Sequence, residues 1–311
     1  MKKINAVVVT YNRKNLLLEC IEAILNQSYK INRLILIDNN STDGTEEFLK
    51  EKNILSNKNV LYVKLNKNIG GAGGFYEGIK KAIEIGSDFV WIMDDDTIPV
   101  KDSLEKLINA IKIVNNEFSF FASTVYGANG EFMNVPNINT DNSENGYPNW
   151  YEFLENGIVK IKEATFVSLL INSNAIKKVG LPVKDYFIWG DDTEYTLRLN
   201  KYYGPAYFIG NSKVIHKRNI SKNLSIYEEV NPNRINFYYY MIRNNLINER
   251  TYFGIFYALK TFIKWQLISI KLLFKIECKK RLKKFFIIHK ALLVFMFKLY
   301  NVTNFKKRFN L

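Results

Sequence analysis

Cysteine and histidine are scarce, with two of each in 311 residues. Cys20 and Cys278 lie far apart in apolar or basic surroundings, so neither a disulfide framework nor a cysteine metal site is available. A reducing cytoplasm fits that usage. With only His216 and His289 in the chain, imidazole chemistry has few places to occur. No uninterrupted apolar stretch reaches the roughly 18 residues needed to cross a bilayer. The opening "MKKINAVVVTYN" carries the charge of a secretory leader but only about five apolar residues before polar ones, so a cytoplasmic location is expected. Acid is nearly missing from one region. From Thr251 onward there are 14 Lys or Arg against the single acid Glu277, so almost all of the net charge of +14 resides there. That region asks for an anionic partner. It comes with no recognisable nucleic-acid reader motif, which sets nucleic acid aside.

What is present reads as an α/β protein. Four short apolar runs, "AVVVT" (6–10), "RLILID" (33–38), "VLYVKL" (60–65) and "FVWIMD" (89–94), are rich in β-branched residues and continuously apolar, as strands buried on both faces are. Helical spacing separates the first pair, through Leu16, Leu17, Cys20, Ile21, Ile24 and Leu25, and recurs near 43–52 and 75–86. Strand and helix alternating in this way predict a parallel sheet with right-handed crossovers and functional residues at the carboxyl edge. Residues 116–165 read as less regular, with "YGANGEF" (126–132) and "NINTDNSENGYPNW" (137–150) as turn-rich, excursive loops. A strand and short helix are expected in "ATFVSLLINSNAIKKVG", a helix over 194–199, a strand leading to His216, and helices from about 234 onward.

Every predicted strand ends in polar residues. The first turn, "TYNRKN", contains no glycine, which argues against a dinucleotide-binding fingerprint at that position. The glycines come instead after the third strand, in "NIGGAGGF", where Gly70, Gly71, Gly73 and Gly74 precede a helix and would let backbone N–H groups approach an anionic ligand. After the fourth strand, "MDDDT" places three aspartates in a row. Asp94 and Asp96 alternate onto one side and can share a hard divalent ion, while Asp95 faces elsewhere; capping of the next helix is the alternative. Asp38 is either a ligand contact at a strand end or a turn residue of "DNNSTDGT". "WGDDTE" offers Asp191 and Asp192 at a helix start, where spacing cannot separate a chemical role from capping.

Taken together, "VVVTYNRKN", "LIDNNSTDGT", "MDDDT", "VGLPVKDYFIWGDDTEYTLRL" and "VIHK" resemble the inverting family 2 glycosyltransferases of GT-A fold, over about residues 4–250. "NIGGAGGF" with "WGDDTE" is most similar to bacterial galactofuranosyltransferases and rhamnosyltransferases of surface polysaccharide synthesis. The resemblance implies a Rossmann-like mixed sheet flanked by helices. It assigns Thr10, Tyr11, Asn12, Arg13, Asp38, Asp95 and the four glycines to the nucleotide-sugar donor, with Asp38 meeting the base. Asp94, Asp96 and His216 would hold Mn²⁺ or Mg²⁺. Asp192 would be the catalytic base, with Trp189, Asp191 and Glu194 at the acceptor. UDP-galactofuranose is the first expected donor and dTDP-rhamnose the second. A sugar-phosphate nucleotidylyltransferase or a non-catalytic polysaccharide-binding protein would be the rivals, but the former needs a Gly-rich phosphate loop after the first strand and the latter needs no paired acids.

The catalytic domain is expected over 1–235 and a helical, basic extension over 236–311. In that extension Lys260, Lys264, Lys271 and Lys275 recur on one side of a helix whose other side carries Phe256, Leu259, Phe262, Ile263, Leu267, Ile270 and Phe274. Such a helix lies at the inner face of a membrane carrying anionic lipid, beside a glycan acceptor on a polyprenyl diphosphate. Assembly into a homo-oligomer, or a core-covering helical bundle, is the alternative use of the same helices.

Overall fold

A computed structural model of the chain describes residues 2–218 and 225–298. In order, the first half runs β1 (Ile4–Thr10), α1 (Lys14–Leu25), β2 (Arg33–Asp38), α2 (Thr45–Glu51), β3 (Val60–Lys64), α3 (Gly70–Ile85), β4 (Phe89–Asp94), β5 (Thr97–Pro99) and α4 (Ser103–Ile113). There follow β6 (Phe120–Gly127), β7 (Phe132–Met133), β8 (Asn137–Ile138), β9 (Ile158–Glu163), β10 (Leu169–Asn172), α5 (Ser173–Val179), α6 (Asp191–Tyr202) and β11 (Ala206–His216). Three helices close the described chain: α7 (Pro232–Tyr252), α8 (Ile255–Phe274) and α9 (Arg281–Lys298).

The chain divides into two compact units, one of residues 1–184 and 195–221, the other of 185–194 and 222–311. The second unit therefore begins earlier than 236 and takes in the segment that holds Trp189, Asp191, Asp192 and Glu194. The cause is a set of buried polar side chains on α7 that bind the backbone of residues 185–190. No sequence periodicity reports such contacts.

The first unit is built on one sheet of order β3-β2-β1-β4-β10-β6-β11-β9-β8. β1 through β4 pair in parallel, whereas β10 runs antiparallel to both β4 and β6, so the sheet is mixed. All seven residues of β1 are buried. Alternation then sorts them: Ile4, Ala6 and Val8 join the core under α1 and α4, while Val7 and Val9 join the opposite core under α3. Helices thus cover both faces, and parallel strands end at one edge.

Two expectations need correction. The irregular stretch 116–165 contains a strand its pattern did not predict, β6, which lies within the sheet between β10 and β11. Ser123 and Thr124 disguise it. Ser123 bonds the hydroxyls of Ser168 and Ser212, both at 2.9 Å, so a polar residue is accommodated in a buried strand. The glycines are not a turn before α3 but its first turns. A Cβ at Gly74 would lie 2.4 Å from Val9 Cγ1, and one at Gly73 would lie 2.6 Å from Ile69 Cγ1. Those two glycines let the helix sit tightly on its neighbours, and the crowding comes from protein rather than ligand. At Gly71 nothing lies within 4 Å, and Gly70 has φ +77°, so an open helix start persists at this end.

The second unit has its own apolar core of α7, α8 and α9 side chains, including Tyr238, Ile242, Leu246, Ala258, Leu272, Ile288 and Phe295. No helix among the described residues is long and apolar enough to cross a membrane. On α8 the lysines do not oppose the exposed apolar row. Ala258, Ser269 and Leu272 are the buried face. Phe256, Leu259, Ile263, Leu267, Ile270 and Phe274 are exposed, and at 100° per residue Lys260, Lys264 and Lys271 fall directly beside them. Phe262 belongs instead to the core.

Candidate active site

β4 and β11 bring the first group of residues together. Asp94 ends β4, and the short β5 that follows pairs antiparallel with β11, setting His216 opposite Thr97. The Lys217 N–H donates to the Asp96 carbonyl at 2.8 Å and locks that register. One ligand atom each from Asp94, Asp96 and His216 then lie within 4.8 Å of one another. His216 Nε2 is 3.1 Å from Asp96 Oδ1. On its other side His216 Nδ1 is 3.1 Å from Asn134 Oδ1, an acceptor, so Nδ1 carries a proton, and Nε2 faces Asp96 with a second proton in the imidazolium and with a lone pair in the neutral ring. Asp96 Oδ1 is buried and has no well-aligned hydrogen bond among the described residues. Two lone pairs facing each other require a proton or a cation between them. Carboxylates with one imidazole make an oxygen-rich set that suits Mn²⁺ or Mg²⁺.

The electrostatics say the same. Burial, and then the charge of Asp96, push Asp94 up to about 7. Burial also raises Asp95 to about 6, against the pull of Arg13. Asp96 goes the other way: burial opposes its ionisation, but the hydrogen bond and charge of His216, with Arg13, hold it below the usual carboxylate range. Burial lowers His216, and the bond to Asp96 with the charges of Asp96 and Asp94 more than offsets that, so the imidazole is raised. A cluster of acids with pKa values driven apart in this way lacks positive charge.

Asp95 does point away from this group. Thr10 Oγ1 donates to Asp95 Oδ2 at 2.7 Å, and Arg13 Nη1 reaches Asp95 Oδ1 at 3.2 Å and Asp96 Oδ2 at 2.7 Å. The loop after β1 is thereby tied to the acids after β4. Asn12, at φ 55°, donates its N–H to Ser41 Oγ at 2.9 Å and accepts the Thr42 N–H at 2.7 Å. Tyr11 is exposed. These contacts bring the ends of β1, β2 and β4 to one edge.

Asp38 is fully buried. Its Oδ1 accepts the Ser41 N–H at 2.7 Å, and its Oδ2 accepts the Tyr62 hydroxyl. A nucleotide base could reach this carboxylate only beside or in place of Tyr62, which sequence reasoning did not single out. Asn39 was missed as well. Its Nδ2 donates to the Gly70 carbonyl at 2.8 Å and its Oδ1 accepts the Ile69 N–H at 2.9 Å, so one side chain aligns the start of α3. Its place directly after Asp38 was the available signal. Asn134 carried none, because it lies in the stretch read as irregular.

The remaining predicted residues belong to the second unit. Asp192 accepts the Thr193 N–H at 2.8 Å. Burial raises its pKa, against the backbone hydrogen bonds that lower it. Glu194 is fully buried and accepts the Tyr252 hydroxyl at 2.7 Å. That bond braces the helix start from inside. Asp191 is also buried. Trp189 is partly buried, with its ring edge-on to Phe237 and Tyr238 at centroid distances of 5.8 and 5.6 Å.

Comparison with known proteins gives these residues a context. The family described as "Glycosyl transferase family 2" matches residues 6–169, more than half of the chain. Galactofuranosyltransferase GlfT1 of Mycolicibacterium smegmatis is 36% identical over 94 residues, 30% of this chain and 30% of that one. An Escherichia coli protein, UDP-Glc:alpha-D-GlcNAc-diphosphoundecaprenol beta-1,3-glucosyltransferase WfaP, is 22% identical over 192 residues, covering 61% of this chain and 69% of the relative. Among solved structures, GalNAc-T7 with UDP, GalNAc and Mn²⁺ superposes with a TM-score of 0.61 at 13% identity, over 80% of this chain and 48% of that one. The chain spans under a third of the length of the mycobacterial relative. The fold is that of GT-A glycosyltransferases.

Proposed function

The chain belongs to glycosyl transferase family 2, and we propose that it moves galactofuranose from UDP-galactofuranose, with inversion, onto a growing surface glycan. The observation that carries this reading is the group of partly buried Asp94 and buried Asp96 and His216, with one ligand atom from each within 4.8 Å of the others. A divalent ion held there would supply the positive charge that a departing nucleoside diphosphate needs. Thr10 and Arg13 hold Asp95 and the cluster in register. Tyr11 and Asn12 line the donor, Asp38 with Tyr62 receives the base, and the start of α3 offers the Gly71 N–H to the diphosphate, the Gly70 N–H being held by Asn68 Oδ1 at 2.8 Å. Asp192 takes the proton from the acceptor hydroxyl as that oxygen attacks the anomeric carbon and the glycosidic C–O bond to the diphosphate breaks. Burial raises its pKa, which makes the carboxylate a stronger base. Trp189 and Asp191 orient the acceptor.

The acceptor in this reading is a glycan on a polyprenyl diphosphate, and the enzyme works at the inner face of a membrane. The exposed apolar row of α8, with Phe256 at 81% and Phe274 at 80% exposure, supports this, since lysines border it and anionic lipid attracts them. A second copy of the chain would bring like charges together. The reading is tested by a melting-temperature screen of nucleotide sugars with Mn²⁺, followed by UDP release from the sugar nucleotide that binds. UDP-galactofuranose should raise the melting temperature most. A larger shift with dTDP-rhamnose would change the donor, and no metal-dependent shift with any sugar nucleotide would reject the reading.

A further inference from the structure

Residues 185–190 have a costly backbone. Phe187 has φ 65°, Trp189 φ 58° and Gly190 φ 92°, a left-handed run that side chains disfavour. At Gly190 a Cβ would lie 3.0 Å from Asn244 Cβ and 3.2 Å from Asn245 Oδ1, so only glycine lets the loop lie this close to α7. Its carbonyls are collected by three side chains of that helix. Asn244 Nδ2 contacts the carbonyl oxygens of Tyr186, Ile188 and Trp189 at 3.0, 3.2 and 2.7 Å. Asn248 Nδ2 donates to the Gly190 carbonyl at 2.8 Å, and its Oδ1 accepts the Tyr186 hydroxyl at 2.8 Å. Arg243 donates to Asn244 Oδ1 from Nε at 2.9 Å and Nη2 at 2.7 Å, which fixes the amide's orientation, and reaches the Asp185 carbonyl at 2.9 Å.

Arg243, Asn244 and Asn248 are 7%, 0% and 2% exposed. Buried polar groups of this kind destabilise a helix interface unless every donor and acceptor is matched. A helix that only covered apolar surface would carry leucine here. The Gly190 carbonyl also accepts the Glu194 N–H at 3.0 Å, the first turn of α6. The gripped loop therefore sets where that turn begins, and Asp192 lies within it.

We infer that Asn244 and Asn248 are positioning residues, holding the strained 185–190 loop so that Asp192 is presented in one orientation. The inference rests on the proposed role of Asp192 as base. Neither residue touches substrate; each acts through the loop.

The test uses the full chain and the variants Asn244→Ala, Asn248→Ala, Asp192→Asn and the Asn244→Ala/Asp192→Asn double variant. In Asn244→Ala, amide hydrogen exchange over 185–192 should rise at least roughly tenfold while β1 and β4 keep their protection. UDP affinity with Mn²⁺ should change by less than about threefold, while metal-dependent UDP release from the sugar nucleotide falls by roughly 10- to 100-fold, the cost of a misplaced group. The acidic limb of its pH profile should also move, because the surroundings of Asp192 have changed. The double variant should be no slower than Asp192→Asn alone. Unchanged exchange in the loop, or losses that multiply in the double variant, would overturn the inference. Asn248→Ala removes only the Gly190 contact and the Tyr186 partner, so it supplies the same readings if Asn244→Ala does not fold. Full turnover in Asp192→Asn would instead reject the base assignment, a separate result.

Discussion

Gly74 stands so close to Val9 that a Cβ would meet the valine's Cγ1 at 2.4 Å, and Gly78 meets Val7 in the same way at 2.3 Å. Alanine in a helix interior is ordinarily favourable relative to glycine by about 1 kcal/mol. Here the overlap wins. Gly74→Ala and Gly78→Ala should lower stability by about 1–3 kcal/mol, read as a lower urea midpoint. Gly71→Ala, with nothing within 4 Å, should leave the midpoint unchanged or raise it, and should weaken nucleotide-sugar binding if the donor's diphosphate comes to this helix start.

Proton linkage sets the response to metal. Asp94 at about 7 and Asp95 at about 6 bind protons more tightly folded than unfolded, so the metal-free protein loses stability as pH rises from about 4 through 7. Asp96, held low, contributes stability above its unfolded pKa and loses it toward acid. His216, held high, contributes stability below the ordinary imidazole range and loses it as pH rises through its folded value. The two raised aspartates and His216 thus weaken together near neutrality. Mn²⁺ should raise the melting temperature, by an amount that grows between about pH 5 and 7.5. A metal-induced shift that is constant across this range would contradict the assignment.

Asn134 orients His216 without being a ligand. Asn134→Ala should weaken Mn²⁺ binding by about 10- to 100-fold, and His216→Ala by at least as much. Calorimetric titration of the two variants checks this. Equal affinity in wild type and Asn134→Ala would mean that the tautomer is set some other way.

Asp192→Asn should lower kcat by roughly 10² to 10⁴ while UDP affinity stays near that of wild type. Single-turnover assay beside equilibrium binding separates the two quantities. Parallel losses in both would point to a folding defect.

Ile263→Glu with Leu267→Glu on α8 should abolish cosedimentation of the full chain with vesicles containing phosphatidylglycerol. Replacing Lys260, Lys264, Lys271 and Lys275 by Gln should weaken it by about 1 kcal/mol per lysine near the surface, and high salt should do the same. Binding to neutral phosphatidylcholine vesicles of equal strength would remove the electrostatic part. A stable dimer that dissociates in the glutamate variant would assign the row to self-association.

Much of the first unit was legible because its patterns are local. Continuous apolar runs mark strands buried on two faces, and β1 to β4 fall within a few residues of where those runs predict. The metal candidates were legible by motif, since "MDDDT" and "VIH" each sit at a strand end. What escaped was whatever depends on a partner distant in the chain. β6 was hidden by Ser123, whose partners are Ser168 and Ser212. The bond from Tyr252 to Glu194 escaped because nothing nearby announces it. The glycine cluster invited a ligand explanation, whereas two of its members are required by Ile69 and Val9.

By itself, then, the sequence determined the first four strands, that acids gather at strand ends, and that the basic charge lies in the last helices. These follow from side-chain volume, periodicity and charge within a short window. Tertiary structure decided that Asp96 meets His216, 120 positions later by number, through the pairing of β5 with β11, and that α7 holds the loop before Asp192. Both depend on buried polar groups finding partners across the fold, and desolvation makes those partners obligatory without leaving a local trace.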